Sequence, residues 1–180
     1  MSNLIKELST ISRDMRVLLI IPRELHEDIH MGLLGHFLET HQGSKGAYVT
    51  LNRPYKAILS AMKKRNLDSS RVFFIDCVTG TKERADNCVF LRTPESLTQI
   101  GISLDPIFKN SDFSFVMLDS LDALSIYHNS NMVIRFARNI IERSVEHKHS
   151  GIMIGVREDM DRRIIDELEA VCDKVIDLTK

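Results

Sequence analysis

The chain has 180 residues, 24 Lys plus Arg against 25 Asp plus Glu, 43% hydrophobic residues and no Trp, the balance of a globular domain long enough to bury a core unaided. A formal net charge of -1 and a pI near 6.7 supply no basic footprint for a phosphate backbone, so nucleic acid is not an expected partner. No apolar run approaches the roughly 18 residues of a membrane span, and Val17 to Ile21 is too short and too late for a signal-peptide core, so a cytoplasmic location is expected.

The first dozen residues carry an apolar stripe, Leu4, Ile5, Leu8 and Ile11, that predicts an amphipathic helix within 1–14, docked on a sheet edge or on a partner. A first strand follows at 16–21 (RVLLII), then a helix over 25–41, where Ile29, Leu33 and Phe37 recur every four residues. The pattern repeats as strand 46–51 (GAYVTL) and helix 54–66, which opens on Pro54 and stripes Ile58, Leu59 and Met62. Strands 71–77 (RVFFIDC) and 88–91 (CVFL) precede a helix over 95–108; strand 113–118 (FSFVML) precedes one over 131–145. Strand 151–156 (GIMIGV), helix 161–171 and strand 174–178 (KVIDL) close the chain. Continuous apolar runs of this length are strands buried on both faces, and their alternation with helices predicts an α/β fold: a three-layer, mostly parallel sheet covered by helices on both sides. No repeat or linker interrupts it, so 15–180 is expected to be a single domain.

Cys77, Cys88 and Cys172 are odd in number and set in apolar runs, as suits reduced core thiols and not a disulfide frame or zinc knuckle. In a parallel sheet a ligand crevice lies at the carboxyl ends of the strands. That places Pro22 to His30, Asn52, Arg53, Asp76 to Thr79, Asp119, Ser120 and Val156 to Asp159 where chemistry would be. Cys77 there lacks an obvious His partner and reads as a packed small hydrophobe. His147, Lys148 and His149 read as a basic helix end, the charged run 157–163 as a solvated loop, and Tyr48, Tyr55 and Tyr127 are too scattered for a base-stacking surface.

Four segments in this order, GAYVTLNRPYKAIL, RVFFIDCVTG, FVMLDSLDAL and DKVIDL, resemble the RecA superfamily and within it the archaeal KaiC-like ATPases; the likeness spans about residues 15 to 178. The resemblance implies a RecA-like P-loop NTPase fold. It matches Asp119 to the Walker B aspartate that helps hold Mg²⁺, and Ser120 to the residue after it, a vestigial cofactor-binding pair. Alternatively the two are a retained strand-end and helix-cap pair. An active member carries a Gly-rich loop with Lys and Ser or Thr after the first strand; here 22–30 reads PRELHEDIH, with none of the four. Glu24, Glu27 and Asp28 instead occupy the first helical turn, each favouring the helix dipole by about 0.3 to 1 kcal/mol. The water-activating glutamate expected after the second strand is also missing from Leu51-Asn52-Arg53-Pro54.

These departures imply a degenerate member that is not an ATPase, with no catalytic residues and neither ATP nor Mg²⁺ as cofactor. It would act as a regulatory or scaffolding protein with a protein partner or as a homo-oligomer. The alternative is a nucleotide-binding switch or weak ATPase with an atypical phosphate loop.

One motif competes. His26-Glu27-Asp28-Ile29-His30 fits H-E-x-x-H, and His36 stands at the third-ligand place of the longer metalloprotease pattern. The Gly of that longer pattern is Leu33, and only about two dozen residues precede His26, too few for the sheet that walls a protease cleft. Two partly exposed histidines at a helix start are therefore expected, and no zinc. The alternatives are a metal-dependent hydrolase using His26, Glu27 and His30, or adventitious metal binding by His26 and His30 with Asp119 close in space.

Overall fold

The computed structural model describes residues 7, 10–80, 82–92 and 96–179. Seven apolar runs become the strands β1 (Arg16–Ile21), β2 (Lys45–Thr50), β3 (Val72–Asp76), β4 (Cys88–Phe90), β5 (Phe113–Asp119), β6 (Ser150–Val156) and β7 (Lys174–Asp177). They pair in parallel throughout, in the order β4-β3-β2-β5-β6-β1-β7. Between them run α1 (His26–Thr40), α2 (Tyr55–Lys64), α3 (Leu97–Phe108), α4 (Leu121–Leu124), α5 (Ser130–His147) and α6 (Arg162–Glu169).

Side chains alternate across each strand, so one run feeds two cores. Val17, Leu19 and Ile21 of β1 join α1 and α2 on one face, while Leu18 and Ile20 join α3 to α6 on the other. The three-layer α/β expectation holds, and each predicted strand lies within one residue of its observed bounds. Two details differ. The edge strand β4 is covered on one side only, with Val89 38% exposed, because an edge has a single neighbour. The four-residue α4 is too short to show a period. Leu4, Ile5 and Leu8 of the predicted N-terminal helix lie outside the described residues, whereas Ile11 is buried in the same core as the inner face of α1. Among the described residues no helix is long and apolar enough to cross a membrane.

The chain order creates a crevice. From β1 the path runs through β2 to β3 and β4 with α1 and α2 on one face, then returns through β5 and β6 with the other helices on the opposite face. The reversal opens the space at the carboxyl ends of β1, β6 and β5, where such folds bind ligands.

Candidate functional site

A cavity of about 740 Å³ occupies this crevice, lined among others by Arg23, Glu24, His26, Glu27, Arg53 and Asp159. Its lining sets two arginines against four carboxylates, the latter Glu24, Glu27, Asp122 and Asp159. Both arginines are already paired, Arg23 with Asp159 at 2.5 Å and Arg53 with Glu27 at 3.4 Å.

The entry to α1 explains the shape. Pro22 ends β1 and contributes no N–H; a 3-10 turn over Arg23–Leu25 follows. Leu25 N–H donates to the Pro22 carbonyl at 3.2 Å and His26 N–H to that of Arg23. These two backbone donors, which a phosphate loop would turn to an anion, are thus engaged within the turn.

His26 and His30 lie one helical turn apart on the same face of α1, their rings 5.0 Å apart. His26 Nε2–H donates to Asp119 Oδ1 at 2.7 Å, and the Tyr48 hydroxyl donates to Asp119 Oδ2 at 2.5 Å. Asp119, at the end of β5, is fully buried. Burial opposes its ionisation, but the hydrogen bond from His26 and the neighbouring imidazoles outweigh it and hold the carboxyl below its ordinary range. Burial, then the Asp119 charge, raises the Tyr48 phenol well above its ordinary value, so it stays protonated and donates.

His26 is partly exposed as expected, but His30 is fully buried: it lies on the face of α1 that packs on the core, while Glu27 and Asp28 take the solvent side. The His30 Nδ1–H donates to the His26 carbonyl at 2.5 Å, and its Nε2 has no hydrogen-bond partner among the described residues. Burial holds this imidazole below its ordinary pKa. One ligating atom each from His26, His30 and Asp119 lies within 4.8 Å of the other two.

The remaining candidates separate from this cluster. Glu27, 61% exposed at its side chain, turns to Arg53, and His36 packs edge-on against Phe37. Ser120 holds the N-cap position of α4 without a side-chain cap bond among the described residues, its Oγ accepting instead from Asn52 Nδ2 at 2.7 Å. The buried Asp76 carboxylate accepts from the N–H groups of Tyr55, Val78 and Thr79 at 2.7 to 2.8 Å, pinning the start of α2 to the end of β3. Cys77 and Cys88 are pushed up to about 12 by burial, then by Asp76, which makes them poor nucleophiles. Tyr48 is the group that residue-level reading missed: in sequence it is one apolar-run residue among others, and only the β2–β5 pairing brings it to Asp119.

No protein-family model and no curated protein matches the chain. Solved structures do. A KaiC-like protein from the hyperthermophilic archaeon Pyrococcus horikoshii superposes with a TM-score of 0.64 at 12% identity, covering 91% of this chain and 70% of that one. An uncharacterized protein from the same organism, solved in complex with an unknown peptide, gives 0.64 at 11% identity, covering 97% and 81%. At such identities the likeness is one of fold: the chain has the α/β fold of KaiC-like, RecA-type proteins.

Proposed function

We propose that the protein is a degenerate RecA-fold domain that neither binds nor hydrolyses ATP and acts as a regulatory or scaffolding component through protein contacts. The observation that carries this reading is the state of Asp119. The one carboxylate at the Walker B place is fully buried, with one oxygen engaged by His26 and the other by Tyr48. Mg²⁺ demands a near-octahedral shell of oxygens, and the groups beside this carboxylate are two imidazoles.

Phosphate fares no better. A phosphate loop supplies several charge-assisted hydrogen bonds of roughly 1.5 to 3 kcal/mol each, so lacking three removes on the order of 5 kcal/mol, several powers of ten in affinity. The excess of carboxylates around the cavity adds repulsion. For protein contacts, Leu25, just after β1, and Ile126 and Tyr127, just after α4, stand 45%, 75% and 47% exposed, large apolar groups suited to a partner. One of the similar structures holds an unknown peptide, in keeping with such a role. The buried free thiols fit a reducing, cytoplasmic setting.

Two arms test the reading. Calorimetry with MgATP at submillimolar concentration is expected to give no saturable heat, with phosphate release at the blank level and Asp119→Asn changing neither. Micromolar binding that depends on Asp119 would overturn it in favour of a nucleotide switch. Sedimentation velocity is expected to show association weakened by Ile126→Asp; a strict monomer at every concentration, for both proteins, would count against the contact role.

A further inference from the structure

We propose that His26, His30 and Asp119 form a binding site for a divalent transition-metal ion of the zinc class, reached from the cavity at the carboxyl end of the sheet. Two constraints bring the ligands together. His26 and His30 share a face of α1 through their i, i+4 spacing, and β5 delivers Asp119 to that face from far along the chain. His26 lines the cavity and is 12% exposed at its side chain, which leaves solvent a route to the cluster.

His30 is the residue that asks for an ion. Its Nδ1–H is committed to the His26 carbonyl, which fixes the tautomer and leaves Nε2 with an available lone pair. A ring N–H donated to a backbone carbonyl is how metal-binding imidazoles are oriented. The Nε2 is buried and without a partner among the described residues, a costly state for a polar atom that coordination would relieve. The Tyr48 hydroxyl on Asp119 Oδ2 orients the carboxylate from behind.

Binding replaces the hydrogen bond between His26 and Asp119. The Nε2 proton leaves to water, and nitrogen and oxygen part from 2.7 Å to about 3.3 Å, the spacing of two ligands roughly 2.0 Å from a tetrahedral ion. Two imidazoles and one carboxylate suit zinc, iron, cobalt or nickel and not Mg²⁺, which prefers an all-oxygen shell. Three protein ligands leave a fourth position for water or a partner's side chain. Glu27 faces Arg53, so the site is that of a bound ion and not of an H-E-x-x-H hydrolase. The site does not rest on the protein-contact reading, since the two are probed by different ligands.

Untagged full-length protein, stripped with chelator and dialysed, is titrated with Zn²⁺ by calorimetry and with Co²⁺ by absorption. One equivalent of Zn²⁺ is expected to bind, with affinity falling roughly 10- to 100-fold or more in His30→Gln and Asp119→Asn and holding in His36→Gln. Should the buried variants fail to fold, the wild-type Co²⁺ complex decides: d–d bands of a tetrahedral site without a thiolate charge-transfer band, and paramagnetically shifted signals from two imidazoles, support the site. No saturable binding, affinity unchanged in folded His30→Gln, or a thiolate band would each overturn it.

Discussion

Asp76 and Asp119 end the strands on either side of β2, and both are fully buried, yet their partners differ in kind. Asp76 accepts from three backbone N–H groups and the Thr79 hydroxyl, contacts that hold a loop and a helix start in place. Among the described residues the Asp119 carboxylate accepts from two side chains alone, Tyr48 and His26, and the imidazole of the second can serve another ligand. Buried histidines also dictate an acid response. His30, His41 and His149 all lie below the ordinary imidazole value, burial being the largest cause for each. The unfolded chain, with histidines near pKa ~6.5, then binds more protons than the folded one. Stability is fully present above about pH 6.5 and is lost as pH falls through that value toward the folded pKa values. Asp119, depressed in the folded state, adds a further loss only as pH falls below about 3.9. Urea midpoints should be flat from about pH 8 to 7 and fall steadily below about 6.5; equal midpoints at about pH 7 and 5 would refute the assignment.

At the scale of elements, α1 shows how a helix can be completed from elsewhere. It ends on Thr40 with His41 as its C-cap, and no basic residue of its own lies in the last turn. Arg71, from the turn before β3, spreads its guanidinium across the gap and donates to the carbonyls of Leu38 at 2.9 Å, His41 at 2.7 Å and Ser44 at 3.0 to 3.1 Å. The fork both satisfies orphan carbonyls and sets a cation at the negative end of the helix. Arg71→Met is expected to cost about 2 to 3 kcal/mol in urea unfolding, and Arg71→Lys to recover only part, because an ammonium cannot reach all three oxygens at once. Full recovery in the lysine variant would show that charge alone matters there.

At the scale of the molecule, the layers meet so closely that single atoms decide the fit. Gly46 on β2 lies beside Phe115 on β5 in register, and the Phe115 ring covers it: a Cβ there would fall 1.9 Å from the ring. That ring also packs against Phe37 and His41 of the α1 layer, at 5.4 and 5.7 Å between centroids. Gly46→Ala must therefore displace Phe115 from both neighbours, at an expected cost of about 1 to 3 kcal/mol in the denaturation midpoint. Pairing it with Phe115→Leu should restore part of that loss, and strict additivity of the two changes would refute the contact.

Apolar period and residue type are local properties of a chain, and so the α/β class, the seven strands, five of the six helices α1 to α6 and the lack of Gly, Lys, Ser and Thr in the turn into α1 were all legible before any packing was known. The sequence also placed His26 and His30 on one helical face, since spacing of four does so wherever a helix forms. The burial of His30, the Tyr48 hydroxyl behind Asp119, and the outward turn of Glu27 were decided only by the tertiary structure. Strand order is a long-range choice: β1, β6, β5 and β2 become neighbours although the chain visits them in another order. That choice carries Asp119 across 93 residues to His26, a distance no local pattern encodes.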